Sequence, residues 1–183
     1  NLAILVSGSG TNLQAIIDGI NCGIINAQIC VVVSNRKNAY ALERAKTHNL
    51  PTIYEPYISM KKSIPPTPIQ QKLSQEKREE YDLDLALKIK EYNPDIIVLA
   101  GWMHILSQNF IDNFEHIINL HPALPGQFPG KDSILDAYDS AQKGFTNYTG
   151  VMCHKVVEKI DAGETLSQAI IPIFKSALRS IEN

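Results

Sequence analysis

The chain has 183 residues, 44% of them hydrophobic and 20% charged, which is the balance of an ordinary globular protein long enough to bury one core. A net charge of −2 and a pI near 6.2 provide no basic field for nucleic acid, and no apolar run reaches the roughly 20 residues that span a bilayer. A small soluble ligand is the expected partner, with neither nucleic acid nor membrane.

In chain order, Leu2 to Ser7 is a short apolar run, followed by Gly8-Ser9-Gly10-Thr11 and a helical pattern with Leu13, Ile16, Ile17 and Ile20 on one face. Thr11 and Gln14 have capping-box spacing, which predicts a helix start at the glycines. Ile29 to Ser34 reads as a buried strand, Ala39 to Asn49 as a helix and Pro51 to Tyr54 as a short strand, a βαβαβ series that implies a parallel sheet. From Glu55 to about Lys72 the prolines Pro56, Pro65, Pro66 and Pro68 interrupt all periodicity, and a mobile surface loop is expected. A helix from about Ser74 to Tyr92 sets Tyr81, Leu85, Ile89 and Tyr92 on one stripe, with Lys77, Arg78, Glu79 and Glu80 as a mostly solvated face. Asp95 to Ala100 is the predicted central strand, ending at Gly101-Trp102-Met103-His104-Ile105-Leu106. A further strand runs through Ile117 and Ile118, and a helix follows near Asp132 to Gln142. Tyr148 to Val157 and Leu166 to Ile173 predict two late strands, close enough to pair antiparallel across Glu158 to Thr165. No internal repeat is present. Cys22, Cys30 and Cys153 have neither metal nor redox spacing and lie in or beside apolar segments, which predicts buried reduced thiols in a cytoplasmic protein. No secretory or transit signal precedes the first strand, and the missing initiator Met implies a trimmed start.

The stretch N-L-H-P-A-L-P-G, Asn119 to Gly126, is the most informative of the chain. Side chains alternate along a strand, so Asn119 and His121 share a face, and Pro122 excludes helix at His121 and ends the strand. In open α/β sheets ligands bind beyond the carboxyl ends of strands, which makes the pair a candidate reaction centre; the alternative is a strand-end histidine bonded to its own loop. Gly8-Ser9-Gly10-Thr11-Asn12 offers backbone N–H groups at a helix N-terminus, a seat for a phosphate or simply a tight turn. Leu13 stands where a third dinucleotide-binding glycine would fall, and no acidic residue closes the second strand, so a single phosphate fits better than NAD; Arg36 and Lys37 leave NADP open. Asp161, in the turn between the late strands, is either a turn former or the partner that orients His121 and favours its protonated state. His154 is either a satisfied core histidine or a support for the same site. His104 and His116 fit no metal spacing, and neither a G-x-S-x-G element nor a cysteine nucleophile is present, so no metal or covalent catalysis is expected.

The stretches L-V-S-G-S-G-T-N-L-Q-A-I-I-D at Leu5 to Asp18, V-L-A-G-W-M-H-I-L at Val98 to Leu106 and I-N-L-H-P-A-L-P-G at Ile118 to Gly126, with His154 and Asp161, closely resemble the phosphoribosylglycinamide (GAR) formyltransferase family, in register over nearly the whole chain. H-P-A-L-P-G and G-W-M look like the fungal, single-domain form. The resemblance implies an α/β fold, an open three-layer sandwich with a mostly parallel Rossmann-like sheet, helices on both faces and an antiparallel C-terminal part. It implies one domain over residues 1–183, a phosphate-binding half over about 1–100 and a folate and catalytic half over about 101–183. The implied reaction moves a formyl group from 10-formyltetrahydrofolate, a cosubstrate with no metal, to the amino group of GAR, in a cytoplasmic monomer or homodimer. Asn119, His121 and Asp161 match the catalytic residues of the family and His154 its supporting histidine. Gly10, Thr11 and Asn12 match the phosphate seat, Met103 and Gly130 other GAR contacts, and Arg78, Trp102, His104, Ile105 and Leu106 the folate site.

The sequence also departs from the family pattern. His104 stands where bacterial members have an arginine, and Lys131 and Asp132 replace a histidine-containing stretch. After Ile171-Pro172-Ile173 the family continues into a longer tail with a helix, whereas Phe174 to Asn183 remain here, so residues are expected to be missing from the numbering near 174–180. Formyltetrahydrofolate hydrolase and methionyl-tRNA formyltransferase share the Asn/His/Asp chemistry but carry an extra domain. A non-catalytic nucleotide-binding module of the same fold needs no such trio. Convergence of the three side chains within a few ångströms beside the Gly8 to Asn12 turn favours the enzyme; wide dispersal favours the module.

Overall fold

Strand β1, Leu2–Val6, is apolar at every position and buried at every position, so it must be covered on both faces. The structure, a computed structural model that describes residues 1–57 and 68–174, puts it inside a parallel arrangement. β1 pairs with β2 (Ile29–Ser34) on one side and β4 (Ile96–Leu99) on the other, and β3 (Thr52–Tyr54) adds parallel to β2. On one face of β1, Leu2, Ile4 and Val6 meet Leu13 and Ile17 of α1 (Thr11–Asn21) and Ala41 and Ala45 of α2 (Tyr40–Thr47). Ala3 and Leu5, pointing the other way, are equally buried. With β5 (Ile117–His121), β6 (Tyr148–Lys155) and β7 (Thr165–Pro172), the sheet order is β3-β2-β1-β4-β5-β6-β7. β5, β6 and β7 pair antiparallel in sequence, as expected for the late strands. The fold is therefore a mixed α/β sheet, mostly parallel with an antiparallel C-terminal part.

Contacts divide the chain into two compact units, Asn1–Ile117 and Ile118–Asn183. The division falls later than residue 100 because the segment after β4 packs with the first unit: α4 (Gln108–Ile111) lies against α3 (Pro68–Lys90), and Phe110 is fully buried. The second unit also holds α5 (Ser133–Gln142). Among the described residues, no helix is long and apolar enough to cross a membrane, and no cluster of side chains could hold a metal ion.

Several expectations need correction. No capping box forms: the N-cap of α1 is Gly10 in the left-handed region, without a side-chain cap, and Gln14 instead bonds Asp18 and His48. α3 begins at Pro68, so residues 68–72 are helical rather than loop; proline is compatible with a first helical turn, where its missing N–H would have no partner. Glu55 to Tyr57 are not loose either. The Glu55 N–H bonds Ser34 O, its carbonyl accepts from Tyr81, and Tyr57 stacks on Tyr81 and His104. The rest of the loop expectation, over residues 58–67, and the expectation of omitted residues beyond Phe174 lie outside the described residues. Cys22 is exposed and Cys30 and Cys153 are half-buried, all three as free thiols. Burial pushes the Cys30 and Cys153 thiols up, which keeps both protonated.

Candidate active site

In the second unit the strand register creates the first contact. Asn119 of β5 lies directly opposite His154 of β6, and residues opposite each other in an antiparallel pair share a face. Asn119 Nδ2 stands 3.1 Å from His154 Nε2. His154 Nδ1 lies 2.9 Å from Lys155 O; a carbonyl only accepts, so Nδ1 carries a proton, and Nε2 faces the Asn119 amide. His154 is thus a buried histidine with a hydrogen-bond partner at each ring nitrogen.

His121, two residues after Asn119 and equally on the inner face, is buried, whereas Leu120 between them is exposed. Its Nε2 donates to the Phe128 carbonyl at 3.1 Å, which leaves Nδ1 facing Asp161 Oδ2 at 3.6 Å. Asp161 arrives from the β6–β7 connection with φ of 51°, a left-handed conformation that Asp tolerates better than most residues. Its carboxylate is anchored by the Gly130 N–H at 3.0 Å, and its other oxygen lies 3.5 Å from both Asn119 Nδ2 and His154 Nε2. Three side chains converge on this one carboxylate, 12% exposed, whose geometry suits a charged imidazole held on one side and an amide donor on the other.

In the first unit, Gly8 to Asn12 form a turn into α1. Gly10 has φ of 74°, and a Cβ there would lie 2.6 Å from the Ala41 Cβ, so the turn needs glycine twice over. With no side chain capping α1, the N–H groups of its first turn are left for an external acceptor. Arg44 braces the turn through Ser9 O at 2.9 Å. Of the segment after β4, Trp102 and Leu106 are buried, whereas Met103 is 56% and Ile105 50% exposed. The indole Nε1 of Trp102 and the Nε of Arg78 are buried without a hydrogen-bond partner among the described residues. His104 turns inward, where its Nε2 meets Asp82 Oδ1 at 2.7 Å, so its imidazole is committed within the protein.

Three contributors were not anticipated. Ser7 donates to Asn35 Oδ1 at 2.8 Å and accepts from the Met103 N–H at 2.9 Å, tying the end of β1 to the segment after β4. Phe128, with φ of 44°, presents the carbonyl that holds His121. Asp82 is fully buried on α3. Only Asp82 left a signal: it occupies the apolar stripe three residues before Leu85 and seven before Ile89.

The formyl transferase family matches residues 1–181. A phosphoribosylglycinamide formyltransferase of Dictyostelium discoideum is 44% identical over 190 residues, which span 100% of this chain and 88% of that protein. The chain belongs to the phosphoribosylglycinamide formyltransferase family. The Schizosaccharomyces pombe member is 42% identical and matches over 96% of this chain and 84% of its own length. Among solved structures, the phosphoribosylglycinamide formyltransferase of Campylobacter jejuni superposes with a TM-score of 0.76 at 32% identity, covering 99% of this chain and 86% of that one. Membership of the family makes the chain a formyl transferase.

Proposed function

We propose that this protein transfers a formyl group from 10-formyltetrahydrofolate to the amino group of 5'-phosphoribosylglycinamide, giving formyl-GAR and tetrahydrofolate in cytoplasmic de novo purine biosynthesis. The observation that carries the reading is the convergence of Asn119, His121 and His154 on Asp161, each within 3.6 Å of its carboxylate. Residues 1–183 act as one formyltransferase domain, with phosphate-binding residues drawn from its earlier part and catalytic residues from its later part.

The chemistry needs no protein nucleophile. The GAR amine attacks the formyl carbon, forming a C–N bond and placing the former carbonyl electron pair on oxygen; the nitrogen becomes ammonium and must lose a proton. The Asn119 amide and the positive charge of a protonated His121 stabilise the oxyanion. Asp161 balances the imidazolium and assists proton removal through water, after which the C–N bond to the folate breaks and tetrahydrofolate leaves with a proton. His154 orients Asn119. Gly10, Thr11 and Asn12 seat the GAR phosphate on the uncapped first turn of α1, and Met103 and Gly130 complete the GAR side. Trp102, Ile105 and Leu106 receive the folate, and Arg78 its glutamate carboxylate. His104, bonded to Asp82, supports that surface rather than contacting the ligand through its Nε2.

The test is a formyl-transfer assay with 10-formyltetrahydrofolate and GAR on wild type and His121→Ala. Turnover should vanish from the variant while its circular dichroism is retained; an unaffected rate would refute the assignment. Tetrahydrofolate release without GAR would instead mark a hydrolase.

A further inference from the structure

Asp82 sits on the inward stripe of α3 with its side chain wholly excluded from solvent. A buried carboxylate is costly unless its oxygens are bonded, and both are: Oδ1 meets His104 Nε2 at 2.7 Å and Oδ2 accepts the Ser107 N–H at 2.7 Å. One side chain therefore holds the segment His104 to Ser107 at two points three residues apart. Around the first, the imidazole is walled by Tyr57, Tyr81 and Trp102, at ring distances of 4.5, 5.4 and 6.3 Å. The burial order is the reverse of what hydropathy alone dictates. The His104 side chain is only 6% exposed, whereas its neighbour Ile105 is 50% exposed. Exposing Ile105 beside an inward-turned histidine gains an isolated chain nothing, whereas a ligand with a flat apolar face covers it.

We infer that Asp82 is a positioning residue for the formyl donor: through His104 and the Ser107 N–H it fixes the His104 to Ser107 segment with Ile105 presented as apolar surface for the donor's fused ring, while Met103, on the GAR side, is held separately by the Ser7 hydroxyl. The inference rests on the formyl-transfer function proposed above. Asp82 touches neither substrate, so its removal weakens donor binding and leaves the reacting groups of the second unit intact. Asn at this position keeps both bonds, since its oxygen accepts the Ser107 N–H and its amide donates to the other tautomer of His104.

The experiment compares steady-state kinetics of wild type, Asp82→Ala and Asp82→Asn, varying each substrate separately. Asp82→Ala should raise KM for 10-formyltetrahydrofolate about tenfold or more, with KM for GAR and kcat within about threefold of wild type. Asp82→Asn should restore the donor KM to within about threefold. Emission from Trp102, the only tryptophan of the chain, should shift to the red in Asp82→Ala alone. Should Asp82→Ala fail to fold, His104→Phe keeps an aromatic ring and the Ser107 anchor while losing the other bond, and should raise the donor KM about fivefold. An unchanged donor KM in the folded variant, or an equal rise in both KM values without rescue by Asn, overturns the inference. Wild type without transfer sinks the proposed function and this inference together; wild-type turnover with a donor KM indifferent to Asp82 sinks the inference alone.

Discussion

Asp161 meets three demands at once: a left-handed backbone, an acceptor for the Gly130 N–H, and a negative charge beside His121. Asn satisfies the first two and lacks the third. Asp161→Asn should therefore fold with a Tm within about 2 °C of wild type while kcat falls by about 10² to 10⁴, the usual range for losing an acid–base partner; thermal melts and the transfer assay separate the two readings. Glu keeps the charge but tolerates the conformation less well, and should not rescue activity fully. At this scale the sequence exposes polar residues that interrupt an apolar context, as Asn119, His121 and His154 do, whereas Asp161, in a polar turn, stands out only through the family resemblance. The sequence hides residues that act through the backbone. The Phe128 contribution is a carbonyl oriented by an unusual φ, and Ser7 is one of many serines until the fold brings Met103 to it.

Two local connections should govern the stability of the first unit. Gly10→Ala would force a Cβ against Ala41 and retain a left-handed φ that costs an alanine roughly 1–2 kcal/mol before the clash is added. A loss of about 2 kcal/mol or more lowers Tm by about 4–8 °C for a chain of this size, measurable by calorimetry. Lys88 joins α3 to the segment after β3 through Glu55 at 2.6 Å and pairs within the helix with Asp84 at 2.7 Å; hydrogen bonds to Asp84 and Glu55 hold its ammonium above the usual lysine range. A raised lysine stabilises fully below its unfolded value, about 10.4, and that contribution is lost as pH rises through the folded value. Lys88→Met should cost under about 1 kcal/mol at pH 7, the lysine being partly solvated, and the gap from wild type should close in urea titrations as pH rises through the raised folded value. The strong elements are legible in outline: β2 runs from Ile29 to Ser34 as its unbroken apolar pattern predicts. Ends set by tertiary contact are not. Pro68 reads as a loop residue until it opens a helix, and α4 is a single turn whose buried Phe110 has no periodic company.

For the molecule as a whole, the parallel-to-antiparallel order is legible because connection length limits pairing: helix-sized crossovers force β1, β2 and β3 parallel, and the short Glu158 to Thr165 link permits β6 and β7 to turn back. The converging site is less so, since Asn119 and His154 are 35 residues apart and only the register puts them opposite each other. That register has a kinetic consequence. Slippage by one residue would send Asn119 and His121 to the other face, so no partly paired form of β5 and β6 can carry a working centre. Pairing at such separation is slow compared with helix formation. In refolding from denaturant, helical circular dichroism should return first and formyl transfer later, with the slowest phase that orders the antiparallel strands; recovery of both at one rate would count against this. Activity is thus a late clock, reporting when the last strands have found their places.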